Sequence, residues 1–207
     1  MNDLRICLGV PSGEMVHAKF MLAFVSLMMQ SQHFNLDYIN YRSSRITANR
    51  NEIVKFARER NSTHLLFIDS DMVFPPYALQ ELINHDKDIV CATATKREDG
   101  PNDPIGTPMT VEEAVTSKRL IKMQFVGMPF MLIKMSVFDK LPEIPFAEPV
   151  MDGKLIPEDE FFCRNVLAAG YDIWCDLGLS MQIGHMGTKE YKISPVAPPK
   201  LELVKVA

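Results

Sequence analysis

The 207-residue chain is poor in cysteine, and what it has is scattered. Cys7, Cys91, Cys163 and Cys175 form no C-x-x-C pair, which removes the usual zinc-ribbon spacing, and a chain this long needs no disulfide staple. Buried, reduced thiols in a cytoplasmic protein are the expectation. Long apolar runs are missing too. The most apolar stretch, Ala18 to Met29, holds Lys19 and Ser26 and falls short of the ~20 residues that cross a bilayer, so it reads as a buried helix face. The opening MNDLRICLGV places an acid early and lacks the apolar core of a secretion signal. An excess of basic charge is also absent. A formal net charge of -4 gives no global footprint for nucleic acid, so charge does not suggest a nucleic-acid acceptor. No internal repeat is present. With 47% hydrophobic and 23% charged residues, the chain has the balance of one globular domain whose core suffices to hold it.

The pattern of the first half is an alternation. Leu4 to Val10 reads as a strand that stops at the turn Pro11-Ser12-Gly13. His17 to Gln30 has helical spacing, Phe34 to Tyr41 is β-rich, and Thr47 to Arg60 places Ile53, Val54 and Ala57 on one helical stripe. His64 to Ile68 is a third strand, Pro76 to Asn84 a helix entered through proline, and Asp88 to Thr93 a fourth strand. Alternating strands and helices predict a mostly parallel sheet flanked by helices, with ligands held outside the carboxyl ends of the strands. The stretch Lys96 to Lys118, rich in proline, glycine and charge, breaks the pattern; Thr110-Val111-Glu112-Glu113 within it could cap a short helix. Apolar runs follow at Leu120 to Val126 and Phe130 to Ile133, then a short helix at Ser136 to Leu141. Pro142 to Pro157 reads as a loop, Glu158 to Ala169 as a helix ended by Gly170, and Tyr171 to Cys175 as a last strand. The fourteen methionines read as fillers of core gaps. The chain divides into one domain over residues 1–190, with a nucleotide-binding half at 1–95 and an acceptor and catalytic half at 96–190, and a proline-rich tail at 191–207.

In HLLFIDSDMVFPP a buried strand runs straight into Asp69-Ser70-Asp71. Two carboxylates so close repel each other, and partial burial adds a desolvation cost. A divalent cation reverses that balance, and oxygen ligands with phosphate suit Mg²⁺ or Mn²⁺. A solvated turn would carry the same letters. Downstream stand Glu158-Asp159-Glu160 at a predicted helix start, where acids also favour the helix dipole, and His185 between glycines at Gly184-His185-Met186-Gly187.

Together these segments resemble the GT-A-fold glycosyltransferases, in the style of the short family-2-like enzymes that use nucleotide sugars. The resemblance spans roughly residues 4 to 187 and is carried by RNEIVKFARERNSTHLLFIDSDMVFPP, FVGMPFMLIKMSVFDKL and PEDEFFCRNVLAAGYDIWCDLGLSMQIGHMG. It implies a Rossmann-like α/β domain and a metal-dependent transfer of a sugar from a nucleoside-diphosphate sugar to a glycan or other hydroxyl acceptor. Asp69 and Asp71 match the D-x-D pair. Asp71 would ligate the metal, Asp69 would ligate it through water or contact the ribose, and Ser70 would lie beside the nucleotide. His185 resembles the late metal-ligating histidine. Asp159, with Glu158 next, resembles the catalytic base of inverting members. Pro11 and Ser12 fall where the nucleobase pocket usually lies, Arg45 and Arg50 where basic residues approach the nucleotide, and Gly127 and Met128 on the segment that passes the sugar.

Two rival readings share these residues. A nucleotidyltransferase on a similar fold would want a glycine-rich, basic turn after the first strand, and LGVPSGEM has no basic residue. A binding module would keep the fold and recognise a nucleotide sugar or glycan without turnover. Surface solvation is the plain account of Arg45 and Arg50. Arg164 sits at i+4 spacing from Glu160, and Trp174 reads as a core residue. An oligomer is compatible with all of this.

Overall fold

The computed structural model describes residues 4–97, 104–110, 119–187 and 189–193. Much of the 96–118 loop, including the helix start proposed after Thr110, and the tail beyond residue 193 lie outside the described residues.

The first half follows the expected alternation: β1 (Arg5–Ser12), α1 (Ala18–Gln30), β2 (Asn35–Arg42), α2 (Ile46–Glu59), β3 (His64–Ile68), β4 (Met72–Val73), α3 (Ala78–Asn84) and β5 (Ile89–Ala92). The second half adds β6 (Gly106–Pro108), β7 (Leu120–Val126), β8 (Phe130–Lys134), a 3-10 turn (Met135–Lys140), β9 (Val150–Met151), β10 (Lys154–Leu155), α4 (Glu158–Ala168), β11 (Ile173–Asp176), α5 (Leu177–Ser180), β12 (Gly184–Met186) and β13 (Glu190–Lys192). An eight-stranded sheet has the order β2-β1-β3-β8-β5-β11-β7-β6. β1 pairs in parallel with β2 and β3, and β11 with β5. β8 lies between β3 and β5 and runs against both, and β7 runs against β11 and β6. The sheet is therefore mixed, with β7 and β8 opposed to the rest. The apolar run of β8 signals burial on both faces but carries no information about direction.

Two apolar clusters cover the two faces of the sheet. Leu65 and Phe67 of β3 join α2 and α4 on one face; Leu66 and Ile68 join α1 and α3 on the other. This alternation, with helices on both sides, explains why β3 is apolar throughout. β1 and α2 approach so closely that a Cβ on Gly9 would overlap the Ile53 Cγ2 methyl, so a larger residue there would force the two elements or that side chain to shift. α4 closes on Gly170 at φ +85°, with Gly170 N–H donating to Leu167 O and Tyr171 N–H to Val166 O, a Schellman end.

Several details differ from expectation. β1 continues through Pro11 and Ser12. β3 stops pairing at Gly9, so Pro11 has a single strand neighbour, where a missing N–H is tolerated. α1 buries one face, the stripe Phe20, Ala23, Phe24 and Leu27, as expected, but leaves Met21, Leu22, Val25 and Met29 exposed, so not all the methionines fill the core. The loop at 142–157 contains the β9–β10 hairpin, turned by Asp152 and Gly153 at φ 51° and 74°. Asp-Gly is the favoured pair for a turn that needs two positive φ angles. The four cysteines are buried and free, and burial pushes the Cys7 and Cys163 thiols up to about 12. Among the described residues no helix is long and apolar enough to cross a membrane.

Candidate active site

The site lies where β1 and β3 end. A cavity of about 430 Å³ opens there, walled by Pro11, Ser12 and Gly13 on one side and by Asp69, Ser70 and Asp71 on the other. The start of α2 adds Ser43, Ser44, Ile46 and Asn49, and Arg97 and His185 complete the rim. Asn49 is buried, and its amide donates to Ser12 O and Ser43 O, both at 3.2 Å, which ties the β1 end to the loop before α2. Its Oδ1 is buried with no hydrogen-bond partner among the described residues.

Asp71 and His185 meet at this rim because a second, three-stranded sheet brings them there. β4 follows directly on Asp71 and pairs antiparallel with β12, setting His185 against Met72, while Met186 N–H donates to Asp71 O at 2.8 Å. His185 Nε2 lies 3.4 Å from Asp71 Oδ2. The other ring nitrogen, Nδ1, is 2.8 Å from Thr95 O, and since a carbonyl only accepts, Nδ1 carries the proton. Burial works against charge on this imidazole, but the Asp71 carboxylate and the Thr95 carbonyl outweigh it and raise its pKa. Burial alone would raise Asp71, yet the His185 hydrogen bond and charge, with Arg97 behind them, hold it below its ordinary value. Arg97 Nη1 is 3.1 Å from the same Oδ2.

Asp69 faces the other way. Its N–H donates to Pro129 O at 2.9 Å, and its Oδ1 accepts from Arg50 Nη2 at 3.1 Å. Arg50 is 3% exposed, reaches Glu158 Oε1 with Nε at 3.5 Å, and lies over the Phe67 and Phe146 rings at 5.4 and 6.0 Å. It also donates to Met128 O at 3.5 Å. Sequence suggested that Arg50 approaches a nucleotide; the structure sets it in the interior between two of the protein's own carboxylates. Burial pushes Asp69 up to about 6, with Arg50 pulling it down and Asp71 adding to the rise. Arg45, at the N-cap of α2, is exposed and is not among the residues that wall the cavity.

Asp159 stands in the first turn of α4 beside Glu158. Its Oδ2 lies beside Gly127, where an added Cβ would meet it at an ordinary contact distance of 3.8 Å. Burial first, then the neighbouring Glu158 charge, raise its pKa. Glu160 pairs with Arg164 instead, Nε to Oε1 at 3.0 Å. Trp174 is partly buried at the edge of the core, as expected.

Sequence reasoning missed Arg97, Asn49 and the carbonyl of Thr95. Arg97 was one charge among many in a loop, and its position just past a strand end was the available signal. Asn49 looked like solvated helix surface. Thr95 acts through its backbone, which leaves no mark in a side-chain pattern.

The family model described as "Glycosyl transferase family 2" matches residues 25–142. That is more than half of the chain, and the chain belongs to this family of glycosyltransferases. The matched segment holds Arg50, Asp69, Asp71, Gly127 and Met128; Pro11, Ser12, Glu158, Asp159 and His185 lie outside it. Among solved structures the chain is similar to A197 from STIV, at a TM-score of 0.60 and 14% identity, over 97% of this chain and 100% of that one. At such identity the likeness is one of fold, and family and fold together define the GT-A architecture. No match was found among the curated proteins.

Members of the family typically use a divalent metal and nucleotide-sugar donors. Among the described residues no three His, Cys, Asp or Glu side chains gather to hold an ion. Two do meet, a carboxylate and an imidazole, and that pair suits a cation that takes its remaining ligands from water and phosphate. The Thr95 carbonyl strengthens the fit, because it fixes the tautomer that turns Nε2 toward Asp71.

Proposed function

We propose that this glycosyltransferase moves a sugar from a nucleoside-diphosphate sugar to an acceptor hydroxyl, with Asp71 and His185 holding one Mg²⁺ or Mn²⁺. The observation that carries the reading is the 3.4 Å approach of Asp71 to His185, with Thr95 O locking the imidazole from behind. When bound, the cation supplies Lewis-acid neutralisation of the charge that builds on the leaving diphosphate.

The chain's own residues do the rest. Pro11, Ser12 and the Asn49-tied wall receive the nucleobase; Asp69 and Ser70 lie beside the ribose; Gly127 and Met128 pass the sugar. Asp159 accepts the proton of the acceptor hydroxyl as that oxygen attacks the anomeric carbon. Attack from the side opposite the diphosphate inverts the centre. A raised carboxylate pKa suits this work, since the proton is then held more firmly once taken. Glu158 Oε1 lies 3.5 Å from Arg50 Nε, and, after burial, its charge in the same helix turn helps to hold the Asp159 pKa up.

A panel of nucleotide sugars screened by thermal shift, with and without Mn²⁺, tests the reading. Stabilisation by one donor only when Mn²⁺ is present, followed by slow release of nucleoside diphosphate, is the expected result. Stabilisation without turnover, even with acceptors supplied, would identify a binding module instead. Equal stabilisation without the ion would remove the cation.

A further inference from the structure

Arg97 is the part of the site with no role assigned so far. Its guanidinium and the His185 ring share one atom, Asp71 Oδ2, at 3.1 and 3.4 Å. Its side chain is 52% exposed and stands on the cavity rim, so it can leave that carboxylate without disturbing the core. Room for its stem comes from Gly187, where a Cβ would lie 3.2 Å from Arg97 Cδ.

We infer that Arg97 is an exchanging counter-ion: it neutralises Asp71 in the empty site and passes to a phosphate oxygen when cation and diphosphate bind together. The inference rests on the reading of Asp71 and His185 as holders of the cation. A divalent ion arriving alone meets a carboxylate oxygen already occupied by a guanidinium, and two cations crowded on one oxygen repel. It must drive Arg97 into water, which hydrates the guanidinium but supplies no negative charge in place of the carboxylate. A diphosphate brings negative charge of its own and offers the planar, two-pronged acceptor that a guanidinium fits best. Arg97 then exchanges one charge-assisted contact for another, and the ion keeps Asp71 to itself. The consequence is coupling. Cation alone binds weakly, diphosphate alone binds weakly, and each strengthens the other by the same factor. The site thereby discriminates a metal–diphosphate from either free component.

The test compares the full-length protein with Arg97→Gln and Arg97→Lys, both changes at an exposed side chain. Mn²⁺ alone is titrated and the free ion read by electron paramagnetic resonance. UDP, GDP, CDP and TDP are titrated by calorimetry at saturating Mn²⁺. Arg97→Gln has opposite expected effects in the two arms: Mn²⁺ alone binds several-fold tighter, while the preferred nucleoside diphosphate binds about 10-fold weaker, the size of one lost charge-assisted bond. Arg97→Lys leaves Mn²⁺ binding near wild type and weakens the nucleotide by less, because it keeps the charge and loses the fork. Unchanged or weaker Mn²⁺ binding in Arg97→Gln, an unchanged nucleotide affinity, or identical behaviour of the two variants overturns the inference alone. Absence of Mn²⁺ binding in the wild type overturns the cation reading and this inference with it.

Discussion

Asp69 and Asp71 leave the same strand end with one serine between them and wall the same cavity at nearly equal exposure, 30% and 29%, yet they take different partners. Asp69 turns inward to Arg50, which is buried and also holds Glu158 of α4. Asp71 turns outward to His185 and Arg97 at the cavity rim. The inner cluster ties β3, α2 and α4 together through one guanidinium; the outer cluster ties β3 to the small sheet through a contact that a ligand can replace. Burial pushes both carboxyls up; at Asp69 it prevails over Arg50, whereas at Asp71 the His185 hydrogen bond and charge, with Arg97, outweigh it and the pKa falls. A carboxylate pair that looks redundant in sequence therefore divides into an anchor on a buried arginine and, under the proposed function, a grip at the rim. The same division recurs at the start of α4, where Glu158 faces Arg50 and Asp159 stands beside Gly127.

The largest expected effect sharpens that second division. Asp159→Asn should lower the transfer rate by about 10²–10⁴-fold while donor affinity holds, as expected for loss of a general base. Full transfer activity in this variant would remove Asp159 from the chemistry. Arg50→Met probes the anchor. It strands two carboxylates around a buried site, for a loss of about 3–5 kcal/mol, or a fall of about 6 °C or more in Tm for a domain of this size. Arg45→Ala, on the exposed cap of the same helix, should shift Tm by about 2 °C at most. Similar shifts for the two arginines would erase the contrast between interior and surface. Asp71→Asn probes the grip and should weaken Mn²⁺-dependent nucleotide binding by about 100-fold with Tm nearly unchanged. A large drop in Tm would make Asp71 a structural residue instead. The smallest effect is in pH. His185 is raised in pKa and bonded to Asp71, so a cation must displace its Nε2 proton. Mn²⁺ affinity should climb as pH rises through and above the ordinary imidazole range near 6.5, by up to about 10-fold per unit, and level off once His185 is neutral. A flat profile across that range would separate His185 from the ion.

Much of the architecture was legible because apolar periodicity reports burial. The sequence pattern places β3 with the bounds the structure shows, marks the residues of β7 as an apolar run without naming a strand, and sets α2 and α4 within a residue at each end. Strand direction was not legible: Phe130 to Ile133 looks the same whether it runs with or against β3. Two-residue strands are too short to leave a pattern, so β4 escaped notice although it carries Asp71 to His185. The β9–β10 hairpin had its Asp-Gly signal in plain sight, masked by flanking prolines. Of the candidate residues, Asp69, Asp71 and His185 wall the cavity and stand out in sequence at a strand end and a glycine-flanked loop; Asp159 stands out at a helix start but is not among the residues that wall the cavity. The inward turn of Arg50 did not, because an arginine on an amphipathic helix reads as solvated until the helix is placed against its sheet.

Pulsed electron paramagnetic resonance of the Mn²⁺-loaded protein tests the central claim most directly, because it reports nitrogen bound to the ion without knowledge of sugar or nucleobase. Nitrogen modulation from a single imidazole is expected in the wild type. In His185→Gln it should vanish, with the ion still bound more weakly at Asp71. No nitrogen signal in the wild type, or the same signal after His185→Gln, would contradict the account.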